Sequence, residues 1–453
     1  MMFREPKSGL MQVLRIVGLL VVVLSVHHSA EVSAHSLVTS AHSVSVGPKG
    51  NRYVTMSFGL IRQPNSQLSA EWICPDSFGS NGQALDRVVI AHAQGLFILD
   101  DGLLTRSSDE GCTWTKETLP AEVGKVVELV STDAALWVRT EEPAALLRRE
   151  AAGWVELKSP ANQALSSLRA GPGLQDLWVT GEADKPISLL SSDGGDSWTV
   201  NALPKTGIPD AKFTALARHP KQATWLVLRV RAAMGLDQLW MSVDAGASWQ
   251  AAFAPKPGQD IAEAVWLADE ASGTLLVGSM SAGIWRSTDG GQQFSLVPDA
   301  PRVGCLRRFG AEVYGCSDEF INGAALMSST DKGKSWSAAL CFGSVANVST
   351  CATLCVPQWE QTRQTHSLAS DPTCLSPPSQ DMDVSDGQGS ADVSASDGAY
   401  ATFDAGQGGG VVVAKRDGCQ AQPIGNPADT MWLVLFASLL LIGRRCHYVR
   451  SSL

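Results

Sequence analysis

From Ala41 to Phe342 the apolar residues fall into short runs, with polar turn residues separating one run from the next. AHSVSVG, RYVTMS, GLIRQ and AEWIC make a first group of four, and DRVVIAH, GLFILDD, GLLTRSS and TWTKETL a second. VVELVST, ALWVRTE, ALLRRE and GWVELKS make a third, and four more groups follow over 168–203, 213–254, 261–299 and 303–342. Runs this short, rich in β-branched and aromatic residues, predict strands. Many are apolar throughout rather than alternating, as expected of sheets covered on both faces. No long helical period interrupts them. The predicted class is all-β, with strands in fours.

One stretch recurs at the same place in five of these groups. It reads SSDEGCTW from Ser107, SSDGGDSW from Ser191, SVDAGASW from Ser242, STDGGQQF from Ser287 and STDKGKSW from Ser329. Each copy ends one apolar run and opens another, which predicts a hairpin turn. The Ser and Asp side chains can satisfy backbone groups inside the turn, and the Gly tolerates the positive φ such a turn needs. The aromatic opens the returning strand and folds its ring under the turn. The Asp positions 109, 193, 244, 289 and 331 are spaced by 84, 51, 45 and 42, so the first gap holds two periods. Trp154 in ALLRREAAGWVEL and Trp72 in FGLIRQPNSQLSAEWIC stand where two decayed copies would put their aromatics. Seven repeats between His42 and Phe342 predict a single β-propeller of seven four-stranded blades, with six or eight as alternatives. No strand from one terminus visibly completes a blade at the other, so the ring is expected to close by packing of the first blade on the last.

On this motif the chain resembles the Asp-box, or BNR-repeat, propellers, among them sialidases, sortilin-like receptors, photosystem assembly factors and some glucanases. In those families the box lies between the third and fourth strands of a blade and faces away from the active site. The resemblance therefore implies a scaffolding role for Asp109, Gly111 and Trp114, for Asp193, Gly195 and Trp198, and for Asp244, Gly246 and Trp249. It implies the same for Asp289, Gly291 and Phe294 and for Asp331, Gly333 and Trp336.

Both ends of the chain read differently. Residues 1–34 combine Arg4, Lys7 and Arg15, the apolar run IVGLLVVVLSV and a Val-Ser-Ala site ending at Ala34, the pattern of a signal peptide. The propeller is assigned to 35–343, a Cys-rich extension to 344–375 and a Ser/Asp/Gly-rich linker to 376–427. Within the linker Asp381, Asp383, Ser385 and Asp392 sit at calcium-loop offsets, but Asp386 occupies the place of the required Gly, and the linker reading is preferred. Residues 428–453 hold MWLVLFASLLLIG, too short for a full bilayer span, followed by Arg444 and Arg445. With Cys419 upstream, this end resembles the myxobacterial C-terminal sorting tails, which implies display at the cell envelope. A plain membrane anchor is the alternative.

Eight cysteines precede that tail, an even number behind an export signal, and are read as disulfides. Cys305 and Cys316 face each other if Gly310-Ala311 is a two-residue hairpin turn. Cys341, Cys351, Cys355 and Cys374 are expected to pair among themselves, leaving Cys74 for Cys112. The formal net charge of −10 argues against nucleic acid.

The chemistry of a sialidase asks for three arginines, a nucleophilic Tyr and an acid. The propeller offers only Tyr53 and Tyr314, the latter with Arg302, Arg307 and Arg308 nearby in sequence. There is no Gly-x-Ser-x-Gly elbow or phosphate loop, and His92 and His219 stand alone at strand ends. The expectation is a non-enzymatic propeller, exported and displayed at the surface, that binds a protein or glycan ligand through one face and needs no cofactor or metal. A secreted glycoside hydrolase with a carboxylate pair in the funnel is the alternative.

Overall fold

In the computed structural model the described residues run from 40 to 366, apart from 66–68, 81–86, 159–163, 172, 183–184, 233–234 and 268–272, and include Leu368 and Cys374. The stretches read from the sequence as a signal peptide, as a linker with a calcium-like segment, and as a tail with Cys419, Arg444 and Arg445 lie outside them.

The strands form seven antiparallel meanders of four, each hydrogen-bonded in sequence order. Blade one comprises Ala41–Val46, Arg52–Met56, Gly59–Gln63 and Ala70–Ile73. Blade two comprises Val88–His92, Gly95–Asp100, Leu103–Ser107 and the short Thr115–Lys116, where the sequence had predicted a longer strand. Blade three comprises Lys125–Ser131, Leu136–Glu141, Leu146–Glu150 and Gly153–Glu156, and blade four Ala164–Ala170, Leu177–Glu182, Pro186–Ser191 and Thr199–Ala202. Blade five comprises Lys212–Arg218, Leu226–Arg231, Asp237–Ser242 and Gln250–Phe253, and blade six Glu263–Leu267, Thr274–Ser279, Gly283–Ser287 and Ser295–Leu296. Blade seven comprises Val303–Phe309, Glu312–Ser317, Leu326–Ser329 and Ser337–Leu340.

First strands of successive blades pack on one another all the way round, blade seven on blade one included, so they line the axis. Serines tie some of these inner strands together: Ser45 Oγ accepts the Ala91 amide and Ser167 Oγ the Ala215 amide, both at 2.9 Å. The core lies between blades, as in the cluster of Trp137, Leu146, Leu168, Leu177 and Leu189. This explains why second strands such as Leu136–Glu141 bury five consecutive residues.

The ring closes by packing, as expected, but the C-terminal extension contributes more than the sequence indicated. Val345–Val348 adds a fifth strand to blade one, parallel to Ala70–Ile73. A helix, Val356–Thr365, follows it. The extension is bonded to the ring: Cys355 pairs with Cys74 and Cys351 with Cys112. The expected Cys74–Cys112 pair is therefore replaced, and of the four late cysteines only Cys341 and Cys374 pair with each other. Parallel pairing between distant segments brings Cys351 and Cys355 to the start of the ring. Cys305–Cys316 forms across directly paired strands, with Gly310 at φ 61° in the turn, as predicted. Among the described residues no helix is long and apolar enough to cross a membrane.

Candidate functional site

The five Ser-x-Asp-x-Gly turns sit between the third and fourth strands of blades two, four, five, six and seven. In blade five Ser242 Oγ donates to Asp244 Oδ1 at 2.8 Å and accepts the amides of Asp244 and Gly246 at 3.3 and 2.7 Å. Asp244 also accepts the Ser248 amide at 2.8 Å and the Ser248 hydroxyl at 2.6 Å. Asp109 with Thr113, Asp193 with Ser197 and Asp331 with Ser335 repeat this pattern. In blade six Gln293 has no hydroxyl, and Asp289 takes only the amides of Gln292 and Gln293 beyond its Ser287 bond. The Ser248 hydroxyl and amide hold the Asp244 carboxyl at about 2, and Ser335 does the same for Asp331. With both oxygens engaged, these carboxylates are committed to the turn.

The turns also join neighbouring blades. The residue after each Asp and the following Gly are both left-handed, at φ 58° and 84° for Ala245 and Gly246, and at 66° and 76° for Lys332 and Gly333. A Cβ on Gly333 would come within 2.7 Å of Leu276 in blade six. The aromatics fill the same seams: Trp198 packs with Trp137 and Leu157 of blade three, and Trp249 stacks on Trp178 of blade four at 6.3 Å. Trp336 reaches the blade-six cluster of Leu276 and Ile284, and Phe294 that of Leu239 and Met241 in blade five. Trp114 meets Phe78, in the connection after blade one, at 5.7 Å, and its indole N–H donates to Gly111 O. Trp154 and Trp72 occupy the fourth strands of blades three and one; Trp154 is buried against blade two and donates to Glu117 at 2.7 Å.

The axis holds a chain of ion pairs that no sequence spacing announced. Glu128 accepts from Arg139 at 2.6 Å and from Arg169 at 3.3 Å. Arg169 lies 3.7 Å from Glu263, which takes Arg307 at 2.8 Å. The chain thus runs from blade three through blade four to blades six and seven. Arg139 also reaches Glu141, a largely exposed residue. Burial would push the Glu263 carboxyl up, but Arg169 and Arg307 outweigh it and hold it below its ordinary value. Arg229, in blade five, donates to Ile261 O at 2.7 Å and Thr214 Oγ1 at 3.2 Å and forms no ion pair among the described residues. Burial, then repulsion from Arg231, lowers its pKa.

The other candidates are dispersed. Tyr314 donates to Glu312, and burial with that bond pushes its hydroxyl up to about 12, far from an ionised nucleophile. Arg307 belongs to the axial chain, whereas Arg302 uses its backbone amide to bond Asn322. His92 and His219 turn Nδ1 to amides of their own turns, Gln94 and Gln222. A cleft of about 520 Å³ between blades one and two is lined by Lys49, Asn51, Tyr53, His92, Arg106 and Glu110, with Lys49 and Glu110 paired across it. Among the described residues no group of His, Cys, Asp and Glu is placed to hold a metal ion.

Turns between second and third strands lie at the end of the ring opposite the Ser-x-Asp-x-Gly turns. In three consecutive blades they expose large apolar side chains: Leu236 in blade five, Met280 in blade six, and Phe320 and Ile321 in blade seven. Phe320 is 78% exposed, on a one-turn helix capped by Asp318. Leu174 and Val243 are exposed at the other end.

No family model matches the chain, and no curated protein matches it in sequence. Solved structures similar to it include YCF48 from Cyanidioschyzon merolae, at 13% identity over 62% of this chain and 93% of that one, TM-score 0.48. A catalytically inactive virginiamycin B lyase from Staphylococcus aureus is similar at 13% identity over 65% and 95%, TM-score 0.46. A GH74 enzyme from Niastella koreensis is similar at 14% over 66% and 69%, TM-score 0.30. The propeller itself rests on this chain's own sheet order.

Proposed function

We propose that the chain is an exported, surface-displayed, non-enzymatic propeller that binds a protein or glycan ligand through one face. The observation that carries this reading is the state of the axial carboxylates. A glycosidase needs one carboxyl raised to act as acid and a second free to act as base or nucleophile. Glu128 and Glu263 instead share the Arg169 guanidinium, and Glu263 is held ionised by two arginines. The raised carboxyl of Glu319 lies off the axis in the blade-seven turn, bonded to the Phe342 amide. The binding face is the one carrying Leu236, Met280, Phe320 and Ile321, since exposed apolar side chains on neighbouring blades form an adhesive rim. Export is supported by the four disulfides and the N-terminal pattern.

The test is capture of ligand from cell-envelope and polysaccharide fractions by the full chain, beside a panel of fluorogenic glycosides. The reading expects a captured ligand that is lost in Phe320→Ser and Met280→Ser, and no turnover. Hydrolysis abolished by Glu128→Gln or Glu263→Gln would replace it with the glycosidase.

A further inference from the structure

The helix Val356–Thr365 is held between two disulfides, Cys74–Cys355 at its start and Cys341–Cys374 beyond its end. None of its own ten residues is buried, and of its apolar side chains it is the half-buried Trp359 that packs on the core. Three contacts seat it on blade one and the connection that follows. Gln358 donates to Asp76, Trp359 lies on Trp72 at 5.8 Å, and His366 at the helix end stacks on Phe58 at 4.0 Å with 22° between the rings. His366 is only 7% exposed, and among the described residues its Nδ1 has no hydrogen-bond partner. Leu368, also buried, follows it. Phe58 in turn meets Phe342 edge-on at 5.2 Å.

Among the described residues, the charged groups on the surrounding elements offer the imidazole no counter-charge. Asp76 is bonded to Gln358, and Glu360 pairs with Arg363 on the helix. Glu319, beside Asp318, accepts the Phe342 amide. Arg87, bonded to the Met56 and Ser57 carbonyls beside Phe58, is paired with Asp100 and brings a positive charge. None of them hydrogen-bonds His366.

We propose that the helix Val356–Thr365 is an acid-released lid on the outer edge of blade one, with His366 as its latch. A protonated imidazole buried against Phe58 without an anion is costly, so the helix lifts between its two disulfides and uncovers Trp72 and Phe58. Burial lowers the His366 pKa in the closed lid to about 4, against an ordinary 6.5. The closed form therefore has its full advantage above pH 6.5 and loses it as pH falls toward 4. The opening equilibrium rises by close to tenfold per pH unit, on the order of 100-fold by pH 4. This device is independent of the ligand-binding reading above.

Hydrogen exchange of the full oxidised chain, corrected for intrinsic rates, tests it between pH 7 and 4. Amides of Val356–Thr365 are expected to lose protection by that factor while those of Leu177–Glu182, in blade four, do not. His366→Phe, which keeps a stacked ring but cannot be protonated, is expected to hold the helix closed throughout, and His366→Gln to open it without pH dependence. Unchanged helix protection in the wild type down to pH 4 would overturn the proposal. So would equal loss in His366→Phe, or loss shared by blade four.

Discussion

At the scale of single residues, the Ser-x-Asp-x-Gly turn combines two requirements that separate experimentally. Its Gly must be left-handed, and it must let the preceding blade come close. Gly310 shares only the first: it has φ 61° and nothing within 4 Å of a would-be Cβ, whereas Gly333 has φ 76° and Leu276 at 2.7 Å. Gly310→Ala should therefore cost about 1 kcal/mol of backbone strain alone. Gly333→Ala should cost about 2–4 kcal/mol, because overpacking against blade six is added. Thermal unfolding of the two variants makes the comparison, and equal shifts in Tm would mean that the turn does not press on its neighbour. The aspartates permit a parallel contrast. Asp331 accepts two backbone amides and two hydroxyls, while Asp289 lacks the hydroxyl from the residue four positions on. Asp331→Ala should destabilise by about 1–3 kcal/mol and Asp289→Ala by less. Because the folded Asp331 carboxyl is held at about 2, its contribution is complete above the ordinary carboxylate value and fades as pH falls toward 2. The difference between the two variants should shrink in acid.

At the scale of elements, what the sequence made legible was whatever repeats locally. The turns carry their own hydrogen bonds and glycines, so five copies marked five hairpins. Trp154 marked another, at its seam with blade two, and Trp72 marked the fourth strand of blade one, although the turns before them have decayed. Cys305 and Cys316 could be paired because a two-residue turn fixes their register. The fifth strand, Val345–Val348, had no such signal: its partner Ala70–Ile73 lies far away in sequence, and its short apolar run could have paired with any edge. The cysteine connectivity followed that strand, and spacing alone leaves it open. The axial ion pairs were hidden for a similar reason, since Arg139, Arg169 and Arg307 meet Glu128 and Glu263 only once the blades are arranged in a ring. The bridges that anchor the extension can be told apart from the hairpin bridge by loop length. In the chain-entropy picture, removing Cys305–Cys316 costs about 3 kcal/mol. Removing Cys74–Cys355 while Cys112–Cys351 remains frees a loop of about 40 residues and costs about 4 kcal/mol; removing the second bridge as well frees nearly the whole ring and costs about 5.5 kcal/mol more. Denaturant titration of the single and double serine variants checks that order. A second loss no larger than the first would show that the bridges do not close a common loop.

At the scale of the whole molecule, the seam between blades seven and one is where two unusual ionisations meet through a pair of phenylalanines. Phe58 stacks on His366, and Phe342, packed on Phe58, gives its amide to Glu319 at 2.7 Å. Burial pushes the Glu319 carboxyl up to about 7, with Asp318 adding to it against the Phe342 amide, while burial drives His366 down to about 4. The two act on stability with opposite signs. A raised carboxyl is no burden below its ordinary value of 4.5, but it weakens the fold as pH rises from there to 7. A lowered imidazole costs nothing above 6.5 and weakens the fold as pH falls from there to 4. Between pH 4.5 and 6.5 the slopes oppose each other, so the intact chain should unfold at a denaturant midpoint that changes little with pH. Each single variant should uncover the other slope. Glu319→Gln should leave a stability that rises with pH, and His366→Phe one that falls with pH, in the same buffers. Denaturant midpoints taken at half-unit steps decide it: if both variants kept the flat profile, neither group would be titrating with the fold, and if both tilted the same way, a shared group elsewhere on the ring would be responsible.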